Sequence, residues 1–173
     1  GSSVIIAMNI KSIYYNDIDK LNIESMSNLS REDIIENYDY LIDYNLSWKA
    51  DEFELPSLPS SHNGKIHFEE VRDIFQNLKI LTIITGIISI IGGIIQIRKK
   101  EFKFLRNSSI LIIVMPVLLA IPIAINFNAC FIMFHKIMFS NDYWIFNPEI
   151  DPVINMLPET FMTGSISGLK IQK

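Results

Sequence analysis

Two long apolar runs dominate the pattern of hydrophobic and polar positions along the chain. Residues 80–97 and 110–134 contain no charged side chain. An α-helix needs about 20 residues to cross a hydrocarbon core about 30 Å thick. The pattern therefore predicts an all-α membrane protein with two visible spans, at about 79–98 and 109–134. Two buried core helices of a soluble protein are the alternative, but charge-free runs of this length are rare there.

The polar positions predict how the flanking elements begin and end. Ser30 and Asp33 resemble a capping box, and apolar residues at helical spacing follow, which predicts a helix over 31–44. A second helix is expected from Lys65 into the first span. The second span contains prolines at 116 and 122 and is expected to be kinked. Asp151 followed by proline is typical of a helix start, and the short apolar stretch 4–10 is expected to end a preceding membrane helix.

Charge divides the chain into segments. Residues 1–77 carry 14 acidic and 6 basic side chains, whereas residues 98–106 carry five basic and one acidic. A short basic loop between two spans is expected in the cytoplasm. We therefore expect an extracytoplasmic segment (1–77), a transmembrane hairpin (78–134) and a second extracytoplasmic segment (135–173) that leads toward a truncated membrane helix. This distribution is not that of a water-soluble enzyme, a disordered chain or a nucleic-acid binder.

Histidines are the main candidates for chemistry. The predicted topology returns His67 and His135 to the same membrane face, where an ionisable side chain is a functional candidate. Imidazoles there suit acyl or proton transfer, and Glu70, three residues after His67, is placed to orient a ring. Two alternatives stay open: each histidine anchors its helix at the headgroups, or the three side chains bind zinc with a water molecule. His62 is expected to be a solvated loop residue.

Two segments resemble signatures of the lipoprotein intramolecular transacylase (Lit) family of small bacterial integral membrane proteins. The first comprises residues 38–41 and 55–72, and the latter stretch reads LPSLPSSHNGKIHFEEVR. The second begins at residue 131 and contains F-H-x-x-x-F-x-N-D-x-W, then N-P-x-x-D-P, then L-P-E at 157–159. The resemblance extends over about residues 34–162. It implies four membrane helices in an intact member, of which the first and last are missing or truncated here.

The resemblance also implies an activity and a site. Lit-like enzymes transfer the sn-2 acyl chain of a diacylglyceryl-cysteine lipoprotein to the α-amine of the same cysteine, which gives a lyso-form lipoprotein. The two essential histidines of the family fall on His67 and His135. One is expected to remove a proton from the amine, and the other to support the oxyanion or protonate the glycerol oxygen. Many members have aspartate where this chain has Glu70. No cofactor, metal or nucleic acid is implied, and the active site is expected on the outer face of the bacterial cytoplasmic membrane.

Further side chains in the second segment are candidates for supporting or substrate-binding roles. For each, a structural role in a turn, a helix cap or an interfacial anchor is the alternative. They are Asn141, Asp142, Trp144, Asp151 and Glu159. Two other functions remain open at this point: an interfacial metal-dependent hydrolase and a non-enzymatic membrane protein whose acidic outer segment binds a partner.

Overall fold

The computed structural model describes residues 2–49, 51–100 and 102–157, and every regular element within these ranges is an α-helix. The described residues form two compact units: those up to residue 77 together with residues 141–157, and those within 78–140. The helices are α1 (Ser2–Asn9), α2 (Ser12–Lys20), α3 (Ile23–Ser27), α4 (Arg31–Leu46), α5 (His62–Arg98), α6 (Lys103–Ile125), α7 (Phe127–Met138) and α8 (Val153–Met156).

The start of α4 confirms the predicted capping box. The Ser30 side chain accepts a hydrogen bond from the backbone N–H of Asp33, at 3.1 Å. In return, Ser30 Oγ donates to Asp33 Oδ2 at 2.7 Å. The shorter aspartate thus binds the cap hydroxyl, where the glutamate of a standard capping box reaches the cap backbone. The helix extends two residues beyond the predicted end, to Leu46.

The core of the first unit joins the two ends of the chain. Tyr14 in α2 stacks on Tyr38 in α4 with ring centroids 3.7 Å apart. The Tyr14 hydroxyl donates to the backbone oxygen of Met156 at 2.6 Å. Burying an aliphatic or aromatic side chain of this size contributes about 1.5–3 kcal/mol, so this core holds residues 141–157 against the N-terminal helices. Its fully buried apolar members include Tyr14, Ile18, Ile23, Ile34, Phe53, Val153 and Met156.

The helix that carries His67 begins at His62, three residues before the predicted start. Asn63 and Gly64 lie in its first turn. Ser61 Oγ accepts from the Gly64 N–H at 3.0 Å, and the Ser61 carbonyl accepts from the Lys65 N–H at 2.9 Å. Ser61 is therefore the N-cap residue of α5, and the following residues are already helical.

Among the described residues, two helices are long and apolar enough to cross a membrane, α5 and α6, as the sequence predicted. Their apolar windows are not buried inside the protein. Side chains such as Ile90 and Ile112 are 66% and 72% exposed. Exposure of so many large aliphatic groups is unfavourable in water but expected in lipid, which argues against the alternative of two buried core helices.

The second apolar run is interrupted, and this corrects the prediction of one kinked helix over 109–134. Both prolines lie inside α6, which ends at Ile125. Asn126 leaves the helical region at φ −152° and ψ 87°, and its side chain accepts from the Ala129 N–H at 3.0 Å. Asparagine is among the best N-cap residues, so Asn126 starts a separate helix, α7.

Candidate active site

α5 places His67 in a buried aromatic setting in the first unit. The residue is 5% exposed. The Phe146 ring meets the imidazole edge-on with centroids 5.4 Å apart, and the Phe68 ring lies 5.7 Å away. Phe68 and Phe146 also stack on each other at 5.6 Å. These rings exclude water from one side of the imidazole, which strengthens any polar interaction that it makes.

Glu70 and Asn141, both proposed from the sequence, form a direct hydrogen bond. Asn141 Nδ2 donates to Glu70 Oε1 at 2.8 Å. The orientation of the amide is fixed because Asn141 Oδ1 accepts from the Tyr143 N–H at 3.0 Å. Asn141 therefore has the structural role in a turn that was the alternative for it, and its side chain also binds a carboxylate. The other carboxylate oxygen, Glu70 Oε2, is buried and has no hydrogen-bond partner within residues 2–49, 51–100 and 102–157.

Asp151 stabilises a different helix from the one predicted. Its Oδ1 accepts from the Ser61 N–H at 2.7 Å, and its Oδ2 accepts from the Ser61 hydroxyl at 2.8 Å. In the short helix α8, Pro152 occupies the N-cap position and makes no side-chain capping bond. The prediction that Asp151 caps this short helix is therefore wrong. Its carboxylate instead binds the N-cap residue of α5, as the N3 glutamate of a capping box would.

Gly64 makes room for this carboxylate. A Cβ at position 64 would clash with Asp151 Oδ1 and lie 3.2 Å from its Cγ. Gly64 is the N3 residue of α5, the position from which a capping-box glutamate would reach back. α5 thus has no side chain at N3, and Asp151 from a distant segment supplies the acceptor instead. This cap lies close to His67 in sequence, because Gly64 precedes it by three residues and Ser61 by six.

His135 belongs to the second unit, near the end of α7. Its Nδ1 lies 2.8 Å from the backbone oxygen of Phe131. A carbonyl oxygen only accepts, so Nδ1 carries the hydrogen and the neutral ring has its lone pair on Nε2. Rings surround the imidazole, with centroids 4.0 Å away at Phe131, 5.4 Å at Phe134 and 5.5 Å at Phe139.

Of the other predicted residues, Asp142 and Trp144 lie in the described segment that follows α7. Asp142 is exposed, Trp144 is partly buried, and Glu159 lies outside the described residues. His62 is exposed at the first position of α5. Within the described part of the chain, no three histidine, cysteine or acidic side chains are close enough together to hold a metal ion.

Sequence reasoning missed three residues near His67: Ser61, Gly64 and Phe146. Ser61-x-x-Gly64 lacks the acidic residue that marks a capping box, so no local signal pointed to the cap. Phe146 follows the N-D-x-W motif without any helical periodicity of its own. Their roles depend on contacts between segments about 80–90 residues apart in sequence.

These features define a helical, membrane-integral protein with two histidines set among aromatic rings. The family described as "Lipoprotein intramolecular transacylase Lit" matches residues 1–162, and the chain belongs to this family. The family prediction from the sequence is thereby confirmed, as are the all-helical membrane fold and the assignment to acyltransferases. The transfer of the sn-2 acyl chain is the function of the family.

Solved structures agree with the family assignment. The structure of the membrane integral lipoprotein intramolecular transacylase Lit from Bacillus cereus has a TM-score of 0.86 and 45% identity, and the match covers 90% of this chain and 73% of that one. A variant of that protein with one histidine replaced by alanine has a TM-score of 0.79 at 44% identity, covering 90% and 70%. A variant with arginine in place of a histidine has a TM-score of 0.80 at 44% identity, covering 90% and 69%. A comparison with curated proteins gave no match.

Proposed function

We propose that this chain transfers the sn-2 acyl chain of a diacylglyceryl-cysteine lipoprotein to the α-amino group of the same cysteine. The observation that carries this proposal is membership of the Lit family over residues 1–162, together with the matching membrane-integral structure. The product is a lyso-form lipoprotein. Amine and ester belong to one molecule, so binding in the right geometry supplies much of the rate acceleration.

The reaction needs proton transfer and no external energy. The amine nitrogen forms a bond to the ester carbonyl carbon, and the bond from that carbon to the glycerol oxygen breaks. One proton leaves nitrogen and one reaches the departing oxygen, so the reaction is an isomerisation. An ester is converted into a more stable amide. Groups with a pKa near about 6.5, such as imidazoles, suit both proton transfers at neutral pH.

His67 and His135 are the catalytic residues in this proposal. The aromatic surroundings of His67 support a role in a site from which water is excluded. With the Nδ1 hydrogen bonded to a carbonyl, neutral His135 has its lone pair on Nε2, which is the tautomer that a general base acting through Nε2 needs. One imidazole takes the proton from the amine, and the other supports the oxyanion or protonates the glycerol oxygen.

The site is proposed to lie on the outer face of the cytoplasmic membrane. Residues 1–77 and 141–157 pack into one unit through contacts such as Tyr14 with Met156. Both segments that flank the hairpin must therefore lie on the same side of the membrane. The loop over 98–106 lies on the opposite side, and its five basic residues favour the cytoplasm. Lipid-anchored substrates on the outer face would then reach the first unit directly.

The activity is tested by mass spectrometry of a lipoprotein N-terminus from cells that lack their own N-acylation step. The intact protein is expressed as wild type, His67→Ala, His135→Ala and His62→Ala. Fragment ions locate the acyl chain, because the total mass does not change. Wild type and the His62→Ala control should give the N-acyl, monoacylglyceryl form, whereas the other two variants should not. An acyl chain that stays on glycerol with folded wild-type protein would refute the proposed activity.

The orientation has a separate test. In a Cys130→Ser background, Glu54→Cys places one thiol in residues 1–77, and Lys99→Cys places one in the loop over 98–106. Both native side chains are exposed. A membrane-impermeant maleimide should label Glu54→Cys in intact spheroplasts and Lys99→Cys only after permeabilisation. The reverse pattern would place the first unit in the cytoplasm.

A further inference from the structure

One buried carboxylate oxygen in the first unit is placed to receive a hydrogen bond from the substrate. Glu70 follows His67 by three residues, on the adjoining face of α5. Asn141 Nδ2 donates to its Oε1 at 2.8 Å. Glu70 Oε2 is buried and accepts no hydrogen bond from the described residues. The carboxylate is thus anchored through one oxygen, and its other oxygen has no hydrogen-bond partner among the described residues.

The chemistry of this oxygen limits what it can bind. An ionised carboxylate only accepts hydrogen bonds, so its partner must be a donor. A buried acceptor without a partner is costly, and a cationic N–H donor offsets that cost better than a neutral one. The ligand class that fits is a primary ammonium or amine adjacent to the His67 position on α5.

We propose that Glu70, held by Asn141, binds the α-amino group of the lipid-modified cysteine and makes the enzyme selective for a free amine. This inference rests on the proposed function, in which that amine attacks the ester. Glu70 Oε2 accepts one N–H while a histidine takes a different proton, so the nitrogen lone pair turns toward the ester carbonyl. Glu70 itself gains no proton. The bond that forms is still C–N, and the bond that breaks is still C–O.

The alternative role for the Glu70–Asn141 hydrogen bond is purely structural: it would hold the 141–146 segment against α5. Glu70→Gln distinguishes this structural role from amine binding. The Asn141 amide is oriented by the Tyr143 N–H, so the glutamine Oε1 must face Asn141 Nδ2. Its NH₂ group then replaces Oε2, which puts a donor against the substrate amine. The hydrogen bond to Asn141 is kept, and the acceptor for the substrate amine is lost. Glu69→Gln is the matched control because it removes one negative charge from the neighbouring position of the same helix.

The test measures binding of two unreactive ligands to the full-length protein in nanodiscs. Both are dialkyl-ether analogues of a diacylglyceryl-cysteine peptide; one has a free α-amine and the other is N-acetylated. Wild type and Glu69→Gln should bind the free amine at least tenfold more tightly, whereas in Glu70→Gln the ratio should fall below threefold. If the N-acetylated ligand were rejected only because the acetyl group does not fit, the affinity ratio would be unchanged in Glu70→Gln. An unchanged ratio there, or no preference in wild type, would overturn the proposal.

Two further measurements keep the outcome interpretable. Asn141→Ala leaves the carboxylate but removes its anchor, and the ratio should fall at least threefold. If Glu70→Gln does not fold, an unchanged ratio in Asn141→Ala would overturn the proposal by itself. Wild-type turnover is measured separately on the cleavable diacyl lipopeptide. Lyso-form product without amine selectivity would refute only the role of Glu70, whereas amine selectivity without product would refute the transacylase activity.

Discussion

The contact between Gly64 and Asp151 predicts that replacing a helical glycine with alanine lowers stability. Glycine in a helix is about 1 kcal/mol less favourable than alanine, so Gly64→Ala would stabilise an isolated α5. In the folded protein the new Cβ would collide with the carboxylate that binds Ser61. The carboxylate must then move away and lose its hydrogen bonds. A hydrogen bond to a charged group contributes about 1.5–3 kcal/mol, and the gain in helix propensity offsets about 1 kcal/mol of this loss. We therefore expect Gly64→Ala to destabilise the first unit by about 0.5–2 kcal/mol for each bond that is lost.

Without the Asp151 carboxylate, Gly64→Ala should no longer destabilise the first unit. Asp151 is 3% exposed, so its two bonds to Ser61 are little screened by solvent. Asp151→Ala should cost about 2–4 kcal/mol because the Ser61 N–H also loses its acceptor. Asp151→Asn keeps an acceptor and should cost about 1 kcal/mol. In the Asp151→Ala background the clash is gone, so adding Gly64→Ala should be neutral or stabilising.

Thermal unfolding in detergent compares wild type with these four variants. A change of 1 kcal/mol shifts the midpoint by about 2–4 °C for a chain of this size. Gly86→Ala is the control for alanine in the same helix, since a Cβ there has nothing within 4 Å. It should leave the midpoint unchanged or raise it. If Gly64→Ala had the same sign with and without Asp151, the carboxylate would not be the reason for the glycine.

Three other predictions follow from described contacts. Burial raises the pKa of Tyr38 to about 12. The neutral phenol therefore stabilises the folded state below pH 10, and this contribution is lost between pH 10 and about 12. Tyr38→Phe should reduce the loss of stability over this pH range, as measured by unfolding and tyrosinate absorbance together; the pKa of Tyr15 is also raised to about 12, so part of the dependence should remain. Nitrogen NMR of neutral His135 should show hydrogen on Nδ1, and hydrogen on Nε2 would contradict the bond to Phe131. Asn126→Ala should lower stability by about 1 kcal/mol through loss of the α7 cap, whereas no change would mean that another group satisfies the Ala129 N–H.

The sequence predicted the elements that depend on local physics. Charge-free runs gave the two spans, and Ser30 with Asp33 gave the start of α4. Asn126 shows the limit of hydropathy, because an apolar run of 25 residues hid a single capping residue that divides it. Asp151 shows the limit of local motifs, because its neighbour Pro152 indicated a cap in sequence while its real partner lies 90 residues away.

The site was predicted by residue type more fully than by contact. Glu70 and Asn141 were both candidates, but their pairing needed the return of the chain after residue 140. The aromatic partner Phe146 carried no signal, since aromatic residues near a membrane interface are common. The catalytic roles of His67 and His135 stay predictions that the variants above will test.

The first unit is assembled from the two ends of the chain, and this has a consequence for how the protein matures. Tyr14, Ile23 and Phe53 share one buried core with Val153 and Met156, which are made only after the two described spans. Residues 1–77 must therefore wait, incompletely packed, while residues 78–140 are synthesised and inserted. Such long-range closure is slow and exposes apolar surface meanwhile. The α5 cap and the Glu70–Asn141 pair also join these two segments, so the segment around His67 is completed only after both described spans have been made.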